Sequence, residues 1–210
     1  MEKISISTID GVNLSALWWD AKSDRSVLLL HMMPATKESW ETLGEELLQR
    51  GLNVLAIDFR GHGESEGGDY KNFSDEDHAK YFLDARAGLN FLEDSTHSHN
   101  IVLAGASIGA NIVLQCMSQD PNLLRGVCLS AGVEYHGVRA IDFAPELQAS
   151  QSVLFVGSQD DGATSQDAEE LAKSSKASKQ VKIYEVGGHG TNLFKTHPEL
   201  AERVVDFLTE

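Results

Sequence analysis

A chain of 210 residues with 17 Lys and Arg against 32 Asp and Glu carries a formal net charge of −15, the wrong sign for binding a nucleic-acid backbone or an anionic membrane surface. Its length suits a single domain, 1–210, with one sizeable core. The longest strongly apolar stretch, Val27 to Met33, is far shorter than the about 20 residues of a bilayer-spanning helix.

The first residues, Met1 to Ile6, alternate polar and apolar and lack the basic start and long apolar run of a secretion signal, which predicts a cytoplasmic location. Lys3 to Thr8 and Val12 to Trp19 flank Asp10-Gly11, a favoured hairpin turn, and predict an antiparallel pair at one sheet edge. Four continuous apolar runs follow, Ser26 to His31, Asn53 to Asp58, Ile101 to Ala106 and Gly126 to Ser130, the pattern of strands buried on both faces. Val153 to Gly157 and Val181 to Val186 supply two more.

Segments of helical period lie between them. Trp40, Leu43 and Leu47 share one face of a helix that stops at Gly51. A second helix runs from a Ser74 cap through Phe82, Ala85, Leu89 and Leu92, and a third starts at Ser107 and ends at Asp120-Pro121. The fourth spans roughly 165–175, and the last begins near Pro198 with Leu200, Val204 and Phe207 on one side. Strands alternating with helices predict an α/β fold: a mostly parallel eight-stranded sheet, antiparallel at its first strands, with helices on both faces. Cys116 and Cys128 sit in apolar segments without a second ligand nearby and read as buried free thiols.

The chemistry gathers at the carboxyl ends of the predicted strands, where open parallel sheets bind ligands. Ser107 stands in Gly105-Ala106-Ser107-Ile108-Gly109, directly after a strand and at the start of a helix. In that context a G-x-S-x-G match reads as a nucleophile on a sharp turn, the glycines removing side chains that would collide as strand and helix approach. The competing reading is a serine that merely caps the helix. A serine hydroxyl needs a base to take its proton and a carboxylate to orient the base. His189, in the glycine-rich loop Val186 to Gly190 after the last strand, is the candidate base, and the turn after Val153 to Gly157 offers Asp160 and Asp161, which residues alone do not separate. The amide of Ile108 is one candidate oxyanion donor, and that of Met33, with Met32 as the alternative, is the second. His31 reads as a structural hydrogen bonder. His78, His97, His99, His136 and His197 fall in polar helix ends or loops, which predicts surface residues, and none forms a metal set. No metal and no cofactor is expected.

Together these motifs resemble the α/β-hydrolase superfamily over nearly the whole chain. Asp58 to Ser65 is similar to the family's D-x-R-G-x-G-x-S turn, Gly105 to Gly109 to its nucleophile elbow, Gly157-Ser158-Gln159-Asp160 to its G-x-x-D acid motif, and Gly188-His189-Gly190 to its catalytic-histidine loop. The resemblance implies a triad of Ser107, Asp160 and His189, and a structural rather than catalytic His62. Where the family often has His-Gly before the oxyanion residue, this chain has His31-Met32, and only about 134–151 intervene where many members insert a helical cap. The expectation is therefore an α/β-hydrolase fold with no substantial cap, similar to compact carboxylesterases and dienelactone-hydrolase-like members, although a Ser nucleophile argues against dienelactone hydrolysis itself. The implied function is a serine hydrolase cleaving a carboxylic ester or thioester of a small molecule through an acyl-serine. The alternatives are a peptidase or amidase on a small acyl substrate and a non-catalytic binding protein on the same fold.

Overall fold

The computed structural model describes residues 1–96 and 100–210; His97 and His99 lie outside the described residues. Its strands are β1 (Glu2–Ser7), β2 (Asn13–Trp19), β3 (Arg25–Leu30), β4 (Asn53–Ile57), β5 (Asn100–Ala106), β6 (Arg125–Leu129), β7 (Ser152–Ser158) and β8 (Ser178–Tyr184). They form one eight-stranded sheet in the order β1-β2-β4-β3-β5-β6-β7-β8. β1 pairs antiparallel with β2, and β2 antiparallel with β4; all other neighbours are parallel. The helices are α1 (Glu41–Gln49), α2 (Asp75–Ala79), α3 (Tyr81–Thr96), α4 (Ile108–Gln119), α5 (Ala140–Phe143), α6 (Thr164–Ser174), α7 (Leu193–Thr196) and α8 (Glu199–Thr209). The expected α/β-hydrolase architecture is present.

The continuous apolar runs are explained by burial on both faces of the sheet. Leu28 and Leu30 of β3, Leu55 and Ile57 of β4 and Val153 and Phe155 of β7 pack on one side with α3, α4 and α6. Their neighbours Val27, Leu29, Val54, Ala56, Leu154 and Val156 pack on the other, against Leu43 and Leu47 of α1 and Leu200 and Val204 of α8. Because successive strand side chains point to opposite faces, each residue of such a run serves one core or the other. β8 begins three residues before the expected start, at Ser178. This edge strand is mostly exposed over Ser178–Lys182, so backbone pairing to β7 rather than an apolar pattern defines it.

The helix expected from Ser74 is two helices. Ser74 does cap, in a reciprocal box with Asp77, but the helix breaks at Lys80 before α3 begins. Between β6 and β7 the chain makes only the single turn α5 and a 3-10 turn at Ala144–Glu146, so no substantial cap covers the carboxyl edge of the sheet. Among the described residues no helix is long and apolar enough to cross a membrane. Both cysteines are buried and free, their thiols pushed up by burial.

The Asp58–Ser65 turn locks the end of β4 in place. The buried Asp58 carboxylate accepts hydrogen bonds from the Lys37 amide and ammonium, both at 2.7 Å, and from the Glu64 amide at 3.1 Å. At Gly63, with φ +52, an added Cβ would fall 2.1 Å from Asp58 Oδ2, so only glycine permits this closure. Arg60 is clamped between Asp84 and Asp10.

Two buried imidazoles sit beside this turn. His31 donates from Nδ1 to the Met32 carbonyl at 2.8 Å and accepts at Nε2 from the Phe59 amide at 3.0 Å. His62 shares a 2.9 Å hydrogen bond with the Tyr81 hydroxyl. Burial lowers His31 to about 4 and His62 to about 3, the latter with help from the neighbouring His31. Below about pH 6.5 the unfolded chain takes up protons at these positions and the folded chain does not. Stability from both groups is therefore complete above about pH 6.5 and is lost as the pH falls towards 4 and 3. The urea midpoint is expected to fall between pH 7 and pH 5 by an equivalent of roughly 2–4 kcal/mol; an unchanged midpoint would contradict the burial of neutral imidazoles.

Candidate active site

The parallel strands β5, β6, β7 and β8 all end at one edge, and the loops that follow them carry the predicted site residues. Ser107 follows β5 with φ 55 and ψ −123, a left-handed conformation that a residue with a side chain adopts only under constraint. Its amide donates to the Leu129 carbonyl at 2.8 Å, which pins the turn to the end of β6. A Cβ on Gly105 would lie 2.3 Å from the Gly109 carbonyl oxygen, and one on Gly109 would lie 2.4 Å from that of Leu30 and 2.7 Å from that of His31. The two glycines are therefore required by close backbone approach, and the turn rests directly on the end of β3. Ser107 makes no capping hydrogen bond with its side chain, so the reading as a simple helix cap fails.

His189 is held on its loop by Gly188 and Gly190, both at positive φ, and by the Gly190 amide, which donates to Ser130 Oγ at 2.9 Å. A Cβ on Gly190 would lie 2.5 Å from Met32 Sδ and 3.2 Å from the Ala106 Cβ, so this loop descends onto the serine turn and the residues after β3. The His189 ring also packs edge-on against Tyr135, centroids 6.2 Å apart. Tyr135 thus touches the candidate base directly.

The carboxylate partner of His189 is Asp161 and not Asp160. His189 Nδ1 lies 2.7 Å from Asp161 Oδ2. Asp160 faces away, its Oδ1 accepting from Ser158 Oγ and from the amides of Gly187 at 3.0 Å and Gly188 at 3.2 Å. The hydrogen bond from Ser158, with the two amides, holds its carboxyl below the usual range. Asp160 therefore anchors the backbone of the histidine loop, and its neighbour orients the ring. With Nδ1–H given to Asp161, the lone pair of the imidazole is on Nε2, the arrangement a general base requires.

Among the described residues, neither the Ile108 nor the Met33 amide donates to a protein acceptor. The Ile108 amide stands at the start of α4, where helix N–H groups have no intrahelical partner. The Met33 side chain turns to the Tyr81 hydroxyl, 3.8 Å from its sulfur, whereas Met32 Sδ lies under the histidine loop, 3.9 Å from Thr191 Oγ1.

Sequence reading missed Tyr135, whose ring fills the space over Gly132 and whose hydroxyl donates to the Ser130 carbonyl at 3.2 Å. Burial pushes its phenol well up, with the nearby Asp161 and Asp167 carboxylates adding to the shift. Nothing marks a lone tyrosine in a polar loop, although its place just after a strand at the ligand-binding edge is a usable signal. Two histidines expected at the surface are not there: His78 is buried, and the half-buried His197 stacks on Tyr184, centroids 3.7 Å apart, and donates to the Val186 carbonyl at 2.6 Å.

Comparison with known proteins bears on the fold and the family. The chain is 28% identical over 156 residues to a serine hydrolase-like protein of Dictyostelium discoideum, covering 71% of this chain and 42% of that one. It spans less than half the length of the curated relatives it matches. The fold superposes on an esterase of Pyrococcus furiosus with TM-score 0.83 at 23% identity, covering 99% of this chain and 91% of the other. It superposes on the Est1E protein of Butyrivibrio proteoclasticus, solved with ferulic acid bound, with TM-score 0.82 at 18% identity, covering 98% and 97%. The model of the Hydrolase_4 family, described as serine aminopeptidase, S33, matches residues 21–148, a stretch that includes the Ser107 turn and ends before Asp161 and His189. Given that match and the sheet, turn and histidine loop described above, the chain belongs to the Hydrolase_4 family of α/β hydrolases.

Proposed function

We propose that this chain is a serine hydrolase that cleaves a carboxylic ester or thioester through an acyl-Ser107 intermediate. The observation that carries the proposal is the 2.7 Å Asp161–His189 pair on a loop packed onto the strained Ser107 turn. Ser107 Oγ attacks the acyl carbon as His189 Nε2 takes its proton, and the amides of Ile108 and Met33 stabilise the oxyanion. The tetrahedral species collapses with loss of the alcohol or thiol, which receives the proton from the imidazolium. Water then attacks the acyl-enzyme with His189 again as base, releasing the acid and restoring Ser107. Asp161 stays ionised and holds the ring. This cycle needs no cofactor, and the ester preference draws support from the esterases that share the fold.

A fluorophosphonate probe is expected to label Ser107 in the folded protein, with labelling abolished in Ser107→Ala and slowed at least 100-fold in His189→Ala. Labelling unchanged in His189→Ala would sink the triad. In the same cycle Tyr135 is a positioning residue. Its hydroxyl donates to the Ser130 carbonyl and its ring packs edge-on against His189, so it holds the wall on which the imidazole rests. Tyr135→Phe is expected to lower kcat/KM for p-nitrophenyl acetate about tenfold, with the pH profile unmoved. A wild-type rate in that variant would remove Tyr135 from the site. Faster turnover of aminoacyl amides than of p-nitrophenyl esters would reassign the activity to peptide-type bonds.

A further inference from the structure

A second cluster of chemistry-bearing side chains lies apart from Ser107 and plays no part in the cycle above. Asp75 and His78 of α2 face His136 in the loop after β6, and one ligand atom from each lies within 4.8 Å of the others. His78 is buried, and its Nδ1 donates to the Ser74 carbonyl at 2.9 Å, which fixes the tautomer and leaves the lone pair on Nε2. That Nε2 is fully enclosed and has no hydrogen-bond partner. A buried acceptor without a partner is costly, and nearly all such groups find one. The His78 and His136 rings stack with centroids 4.6 Å apart. A backbone carbonyl accepting from Nδ1 while Nε2 stays free is the usual preparation of a metal-binding imidazole.

We infer that Asp75, His78 and His136 form a binding site for a divalent first-row transition ion such as zinc. Two imidazoles and one carboxylate match the donor preferences of such ions, whereas magnesium and calcium prefer oxygen alone. Metal–ligand bonds of about 2.0–2.2 Å put tetrahedral donors roughly 3–3.5 Å apart, so the exposed Asp75 and His136 side chains would have to shift to close onto the fixed Nε2. Three protein donors leave the fourth position to water.

The site joins two parts of the chain distant in sequence. His136 and Gly137, with φ 49 and 77, are the central residues of a tight turn whose flanks pair through Tyr135 N to Val138 O at 3.1 Å and Val138 N to Tyr135 O at 2.8 Å. A Cβ on Gly137 would lie 2.8 Å from the Asp75 Cβ, so turn and helix already touch. A bound ion would tie α2 to the loop that carries Tyr135. The inference does not depend on the proposed hydrolase activity, since neither the ligands nor the readout below involves Ser107.

The turn geometry supplies a clean test, because Asn-Gly is the favoured pair where both central residues have positive φ. His136→Asn therefore preserves the turn while removing the imidazole. The chelator-treated 210-residue chain, titrated with Zn²⁺ by calorimetry, is expected to take up one equivalent, and saturating Zn²⁺ to raise Tm by about 5 °C or more. In His136→Asn and Asp75→Asn the zinc affinity should fall at least tenfold, with the metal-free Tm of His136→Asn not below wild type. His189→Ala should bind zinc as the wild type does. The site is overturned by no saturable zinc uptake, by undiminished affinity in His136→Asn, or by a loss confined to His189→Ala, which would place the ion on the His189–Asp161 pair.

Discussion

Asp161→Asn is expected to lower kcat about 10⁴-fold on a p-nitrophenyl ester, while Asp160→Asn stays within about tenfold of wild type. An amide at position 161 would donate to His189 Nδ1 instead of accepting from it. The imidazole proton would then move to Nε2, and the ring would present N–H to the serine that needs a base. Position 160 responds differently because its Oδ1 serves Ser158 and the amides of Gly187 and Gly188. Asparagine keeps an oxygen there and loses only the charge. Steady-state kinetics on the two variants decides the assignment: the reverse order of effects, or equal small effects, would detach Asp161 from catalysis.

Lys37→Met is expected to destabilise the fold by about 3–5 kcal/mol, the usual consequence of removing one partner of a buried ion pair. Lys37 and Asp58 are both completely buried, 2.7 Å apart. Burial opposes the charge on Lys37, yet the hydrogen bonds to Asp58 and Glu38 outweigh it and hold the ammonium above its ordinary pKa. Without the ammonium, Asp58 keeps its two backbone donors but remains a carboxylate enclosed by protein. For a chain of this size the loss corresponds to a fall in Tm of roughly 6–20 °C. A change of less than about 1 kcal/mol in a urea melt would show that the backbone amides of Lys37 and Glu64 suffice.

The elements legible in the sequence were those whose causes are local or periodic. The buried strands announce themselves because each residue of Val27–Leu30 or Val153–Val156 faces one core or the other. The Ser107 turn is legible because two backbone approaches exclude any side chain at Gly105 and Gly109. What escaped depends on where neighbouring residues point. Asp160 and Asp161 differ by one position, and only the path of the chain after β7 decides which meets His189 and which meets Gly187. A family motif fixes the loop but not the direction of a side chain within it. Tyr135, the buried Lys37 and the pairing of His78 with His136 rest on contacts between segments distant in sequence, which no periodicity encodes.

The left-handed backbone at Ser107 also bears on how this protein balances two demands. A side chain held at such φ and ψ raises the energy of the folded state by about 1–3 kcal/mol, a burden glycine would not bear. The fold would thus be more secure with glycine at position 107. In the cycle proposed above, keeping a serine there exchanges stability for a nucleophile whose direction is set before any substrate arrives, so little reorganisation remains when the reaction begins. Rigidity elsewhere, in the buried Lys37–Asp58 pair and the doubly packed sheet, is what lets the chain tolerate that exchange.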